Sequence, residues 1–186
     1  MEILKKLSSA ISWLYKSSIR QILILTCICS LTLYPINAIP QPRLSSDLLA
    51  NIVVALTKYL KWKEKDYKDN ITICTLGSDG VGDAINRIAS SQGQNITVKN
   101  QPDISALSKC MIVYISITEE GNADEILWRT KSKQILSVSA IQGFKEMGGI
   151  VQIVQDYNKV YFRFNVKSAR NSQIVIDSDL LNMSTE

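Results

Sequence analysis

Short β-branched runs alternating with helical stretches limit the folds open to this chain. Residues 71–76 read ITICTL, rich in side chains that suit a pleated surface and bounded by turn formers. Residues 83–91 follow, with Ala84, Ile85, Ile88 and Ala89 at helical spacing. A short strand is expected at 95–99, and a strongly apolar, central one at 110–116, CMIVYIS. A helix at 122–130 turns Ile126 and Leu127 inward, and another strand covers 134–138. Crossovers that carry helices imply parallel pairing in this half. Residues 150–154 and 159–166 form a β-hairpin around Asp156, Tyr157 and Asn158, and short helices at 167–172 and 178–183 end the chain. The expected fold is an α/β layered sandwich. Its central mixed sheet is mostly parallel in the first half, ends in an antiparallel hairpin and is flanked by helices.

Upstream, residues 47–61 place Leu48, Ile52, Ala55, Leu56, Tyr59 and Leu60 at helical spacing, with Asn51, Lys58 and Lys61 opposite. Ser45, Ser46 or Asp47 caps this amphipathic helix.

The first 38 residues are expected to lie outside the fold. Lys5, Lys6, Lys16 and Arg20 make a basic leader, and the run from Ile22 to Tyr34, ILILTCICSLTLY, carries no charge. Pro35 and the small residue Ala38 follow. Basic region, short apolar run and small residue describe a secretory signal peptide, leaving a single domain at 39–186. An uncleaved N-terminal anchor is the alternative. The apolar run is short for a spanning helix, which needs roughly 20 residues. Once the leader is cleaved, no later segment is expected to enter the membrane.

Removing the leader changes the charge argument. The whole chain has 21 basic and 17 acidic residues; without the leader 17 and 16 remain, a net charge of +1. No Lys/Arg block of nucleic-acid type is left. Cys27 and Cys29 fall inside the leader, so Cys74 and Cys110 are the cysteines of the domain. In the oxidising periplasm an even count favours a disulfide. A right-handed crossover places their two strands side by side, about 5 Å apart, which suits disulfide spacing. The alternative is two reduced cysteines buried as small hydrophobes.

The chain has no histidine, so neither a Ser-His-Asp nor a Cys-His nucleophile can be assembled. Two cysteines without histidine do not make a usual structural zinc site. Glu119-Glu120 and Asp124-Glu125 lie at a polar helix start, where they stabilise the helix N-terminus. The loop 77–82, GSDGVG, follows a strand and precedes a helix but lacks both phosphate-binding spacings, so Asp79 reads as a helix cap. No catalytic residue, cofactor or metal is expected. Arg163, Asn165 and Arg170 are the candidate ligand- or partner-binding residues, since an arginine fork suits carboxylate and phosphate. The plainer reading makes Asn165 the cap of the following helix and Arg170 a solvated charge.

Taken in order, LLANIVVALTKYLKWK, ITICTLG, KCMIVYIS, ILSVS, the Gly-Gly before IVQIV, and VYFRFNVKSARNSQIVIDSDLL resemble the YfiR-like family of small bacterial periplasmic proteins. The resemblance covers roughly residues 44–183, with Cys74 and Cys110 at the family's cysteine positions. It implies a periplasmic regulator that binds and represses an inner-membrane diguanylate cyclase, holding down cyclic-di-GMP output. It leaves a homodimer open, though the sequence shows no self-complementary face. A periplasmic small-ligand-binding module without a cyclase partner is the alternative. There are two departures from the family pattern. The region GFKEMGGIVQIV lacks a second cysteine pair, and Gln173 stands where the family usually has glycine. If that turn needs positive φ, glutamine is costly there.

Overall fold

The computed structural model describes residues 44–62, 70–157 and 159–182; the expected leader, residues 1–38, and Asn158 of the hairpin turn lie outside the described residues. A first helix, α1 (Ser46–Tyr59), leads into a three-residue strand, β1 (Leu60–Trp62). Then come β2 (Ile71–Leu76), α2 (Val81–Ser91) and β3 (Ile96–Asn100). A 3-10 turn at Ile104–Lys109 enters β4 (Ile112–Ile115), and a second at Ile117–Asn122 enters α3 (Ala123–Thr130). The chain closes through β5 (Leu136–Ser139), β6 (Val151–Asp156), β7 (Lys159–Phe164), α4 (Val166–Asn171), β8 (Ile174–Ile176) and α5 (Ser178–Asn182).

The main sheet has six strands in the order β3-β2-β4-β5-β6-β7. Every neighbouring pair up to β6 is parallel, and only β6–β7 is antiparallel. This is the expected mixed α/β sandwich. β4 reads IVYI and is buried throughout, as a parallel strand covered on both faces must be.

Each sheet face carries its own core. On one, α1 and α2 bury Val53, Val54, Ala84 and Ile85 against Ile73, Ile112, Tyr114 and Val151. On the other, Leu107, Ile126, Leu127, Ile141 and Phe144 cover Cys74, Val113 and Ile115. The cover on this second face is thin: one 3-10 turn, the eight-residue α3 and the loop 140–150.

Helix α1 and the ribbon that follows it differ from the sequence expectation. Helix α1 buries Leu49, Ala50, Val53, Val54 and Leu56, while Leu48 and Tyr59 are exposed. The stretch LLANIVVAL is apolar on nearly all sides, so spacing alone does not select its inward stripe; docking against α2 does. The helix also stops at Tyr59 rather than Lys61, because Leu60, Lys61 and Trp62 pair antiparallel with Ile176, Val175 and Ile174. This β1–β8 ribbon is separate from the main sheet. Among the described residues, no helix is long and apolar enough to cross a membrane.

Gln173 has φ 56, so the left-handed turn anticipated there is real. Its side-chain oxygen accepts from the Gln134 amide, and Gln134 is itself at φ 57. Two left-handed residues without glycine's freedom are thus joined side chain to side chain. Comparing Gln173→Gly with Gln173→Ala isolates the backbone part, since both lack the amide. The glycine variant is expected to be about 1 kcal/mol more stable in urea unfolding, which inverts the usual order.

Candidate functional site

Cys74 and Cys110 are bonded, with a Cα–Cα distance of 5.8 Å. The bond does not join residues in register, because the β4 partner of Cys74 is Val113. Cys110 reaches it from the end of the 3-10 turn, where the extended chain begins to enter β4. Both cysteines are buried, so the bond fastens the thin second face to the sheet.

The loop after β2 is committed to internal bonds. The Ser78 N–H donates to Thr118 Oγ1 (3.2 Å) and the Val81 N–H to Asp79 Oδ1 (3.2 Å). Asp79 is not itself the cap expected from the sequence: the N-cap of α2 is Gly80, at φ 76, and Asp79, one residue before it, accepts from the first helical N–H. Its other oxygen accepts from the Tyr114 hydroxyl (2.7 Å), and its carbonyl accepts from Ser46 Oγ (2.6 Å), tying α1, α2 and β4 together. A carboxylate already occupies this helix N-terminus, which disfavours a second anion there.

Burial, and secondarily the hydrogen bond and charge of Asp79, push the Tyr114 phenol far above its ordinary range. The unfolded chain releases that proton near pH 10, while the folded chain keeps it. Stability from this group is therefore complete below pH 10 and lost as pH rises above it. Tyr114→Phe is expected to show a shallower loss of stability between about pH 10 and 11 than the wild type, by roughly 1 kcal/mol per unit.

The described surface holds a cleft of about 370 Å³ near the amino-terminal ends of β5 and β6. Helix α3 forms one wall and α4 the other, with Met147 and Gly148 from the loop between β5 and β6. Leu127, Ile135 and Ile150 contribute buried apolar surface. Trp128 lies on the α3 wall and is 69% exposed. The Arg129 guanidinium sits 5.1 Å from the indole centroid and 3.5 Å from Glu125. Lys131 and Lys167 line opposite walls, with Asp124 the acid among the lining residues.

The three residues singled out from the sequence do not converge. Asn165 lines the cleft and caps α4, accepting from the Ser168 N–H (2.9 Å). Its amide nitrogen donates to the Lys145 carbonyl (2.9 Å). Arg163, on β7, pairs with Glu146 at 3.5 Å. Together with the Lys145 N–H, which donates to Gln152 Oε1 (3.3 Å), these bonds clasp the loop that carries Met147 and Gly148. Arg170 is exposed on α4 and is not part of the cleft lining. Trp128, Lys131 and Lys167 were not singled out from the sequence. The one signal for them is that inward Ile126 and Leu127 leave Trp128 facing out.

Residues 46–185 match the family model described as YfiR/HmsC-like. No curated protein matches the chain in sequence. In fold it is similar to the crystal structure of a conserved domain protein from Vibrio cholerae O1 biovar El Tor, at 12% identity and a TM-score of 0.54. It is also similar to the ABC domain from Streptococcus pneumonia in complex with L-Trp, at 13% identity and a TM-score of 0.51. Each alignment covers 75% of this chain and 59% of the other. At these identities the likeness concerns the fold alone.

Proposed function

The chain belongs to the YfiR/HmsC-like family, and from that premise we propose that it is a periplasmic regulator that binds and represses a membrane-bound diguanylate cyclase. The family match over residues 46–185 carries this reading. The protein acts by contact rather than by chemistry on the nucleotide.

The docking surface is the α3–α4 cleft. An exposed tryptophan beside an apolar recess is the kind of anchor that dominates protein interfaces. Arg163 and Asn165 contribute by holding the 145–148 segment in place, and Arg170 offers a guanidinium to a partner carboxylate beside the cleft.

Deleting the gene is expected to raise cellular cyclic-di-GMP. Trp128→Ala should reproduce that rise while the protein stays in the envelope at normal abundance. Unchanged cyclic-di-GMP on deletion would remove the cyclase from the reading. The cleft's volume favours a second reading, a small-ligand module, because it falls within the usual range of ligand pockets, roughly 300–1,000 Å³. A small molecule released on denaturing the native protein, with cyclic-di-GMP unmoved by deletion, would establish that reading instead.

A further inference from the structure

The charges around the cleft are unevenly committed. Arg129 is engaged by Glu125 and Arg163 by Glu146. Among the described residues, Lys131 and Lys167 form no ion pair, and neither does Lys133, on the same turn as Lys131. All three are exposed. The turn presenting Lys131 and Lys133 has a defined shape. The Lys131 N–H donates to the Leu127 carbonyl and the Lys133 N–H to the Thr130 carbonyl. Ser132 and Gln134 are left-handed, and a hydrogen bond from Gln134 Nε2 to Gln173 Oε1 ties the turn to the residue after α4's C-cap.

We propose that the α3–α4 cleft docks a short acidic peptide segment of a partner protein, with one apolar side chain entering beside Trp128 and Met147 and flanking carboxylates meeting Lys131 and Lys167. The inference rests on the reading of this cleft as a docking surface, and it supplies the chemistry of what docks. Two unpaired ammonium groups face one carboxylate, Asp124, along the lining, so the cleft is complementary to negative charge. Trp128 is exposed and Met147 half-buried, so the cleft offers apolar surface to a side chain projecting from an extended segment. A flat layer of lipid headgroups meets the lysines but not that apolar surface.

Fluorescence anisotropy of labelled hexapeptides on the intact protein tests this. The probes are an alternating Glu-Leu peptide, its Lys-Leu counterpart, and vesicles with and without phosphatidylglycerol. The Glu-Leu peptide is expected to bind and the Lys-Leu peptide not to. Trp128→Ala and the pair Lys131→Glu/Lys167→Glu should each weaken binding about tenfold or more. The pair Lys58→Glu/Arg87→Glu makes the same charge change on α1 and α2, and should leave affinity within about twofold. Equal weakening by both pairs would reduce the effect to net charge and overturn the proposal. So would binding of the Lys-Leu peptide, binding of neither peptide, or a cleft-dependent preference for anionic vesicles. The cellular assay above fails separately: peptide binding with unchanged cyclic-di-GMP on deletion would discard the cyclase and keep the acidic docking site.

Discussion

Replacing Cys74 and Cys110 together by alanine is expected to lower the unfolding free energy by about 4 kcal/mol. The bond spans a sequence separation of 36, for which the chain-entropy model gives roughly that value. Location adds a reason for the effect to be felt in the folded state. The pair lies in the core formed by Leu107, Val113 and Ile126, where the cover over the sheet is thin. For a domain of this size, thermal unfolding should shift down by roughly 10–15 °C. Reductant should shift the wild type toward the variant and leave the variant where it is. Coincident melting curves for the oxidised wild type and the alanine pair would show that the bond adds nothing to stability.

The second large effect is at Phe144. Its ring is fully buried in the same face, and Phe144→Ala is expected to cost about 3–5 kcal/mol through lost contacts and the cavity left behind. The ring lies directly against Gly149: a Cβ there would clash with the Phe144 ring. The loop between β5 and β6 is therefore folded around the ring, and its removal should loosen Met147 at the cleft as well. Urea unfolding should show a lower midpoint with little change in slope. Peptide binding at the cleft should weaken even under conditions where the variant stays folded. A loss below about 1 kcal/mol would mean that the site collapses without strain and that the ring is not the loop's support.

Much of this architecture is legible in the sequence. ITICTL and CMIVYIS declare buried strands through their β-branched runs, and the hairpin is marked by apolar stretches on either side of Asp156-Tyr157. The stripe of α1 is not legible, because a helix apolar almost all round lets its neighbour choose the buried side. The 3-10 turns at 104–109 and 117–122 have no apolar period to betray them. Gln173 shows what a departure from a family pattern conveys, since a missing glycine pointed to a left-handed residue. The candidate site was harder to read. Arg163, Asn165 and Arg170 are close in the chain, but a strand, a cap and a helix send them in different directions. The cleft draws instead on α3, the loop before β6 and α4, and no short motif records that meeting.

The β1–β8 ribbon sets an order of events during synthesis. It pairs Leu60–Trp62 with Ile174–Ile176, so the earlier strand has no partner until more than a hundred further residues have emerged. The β2–β3 and β2–β4 pairings need no more than the next forty-odd residues and are available long before. A ribosomal product cut short ahead of Ile174 keeps most of the sheet but displays β1 as a bare edge, the feature that invites aggregation and proteolysis. The ribbon thus acts as a late seal, closing only on chains that have been made through Ile176.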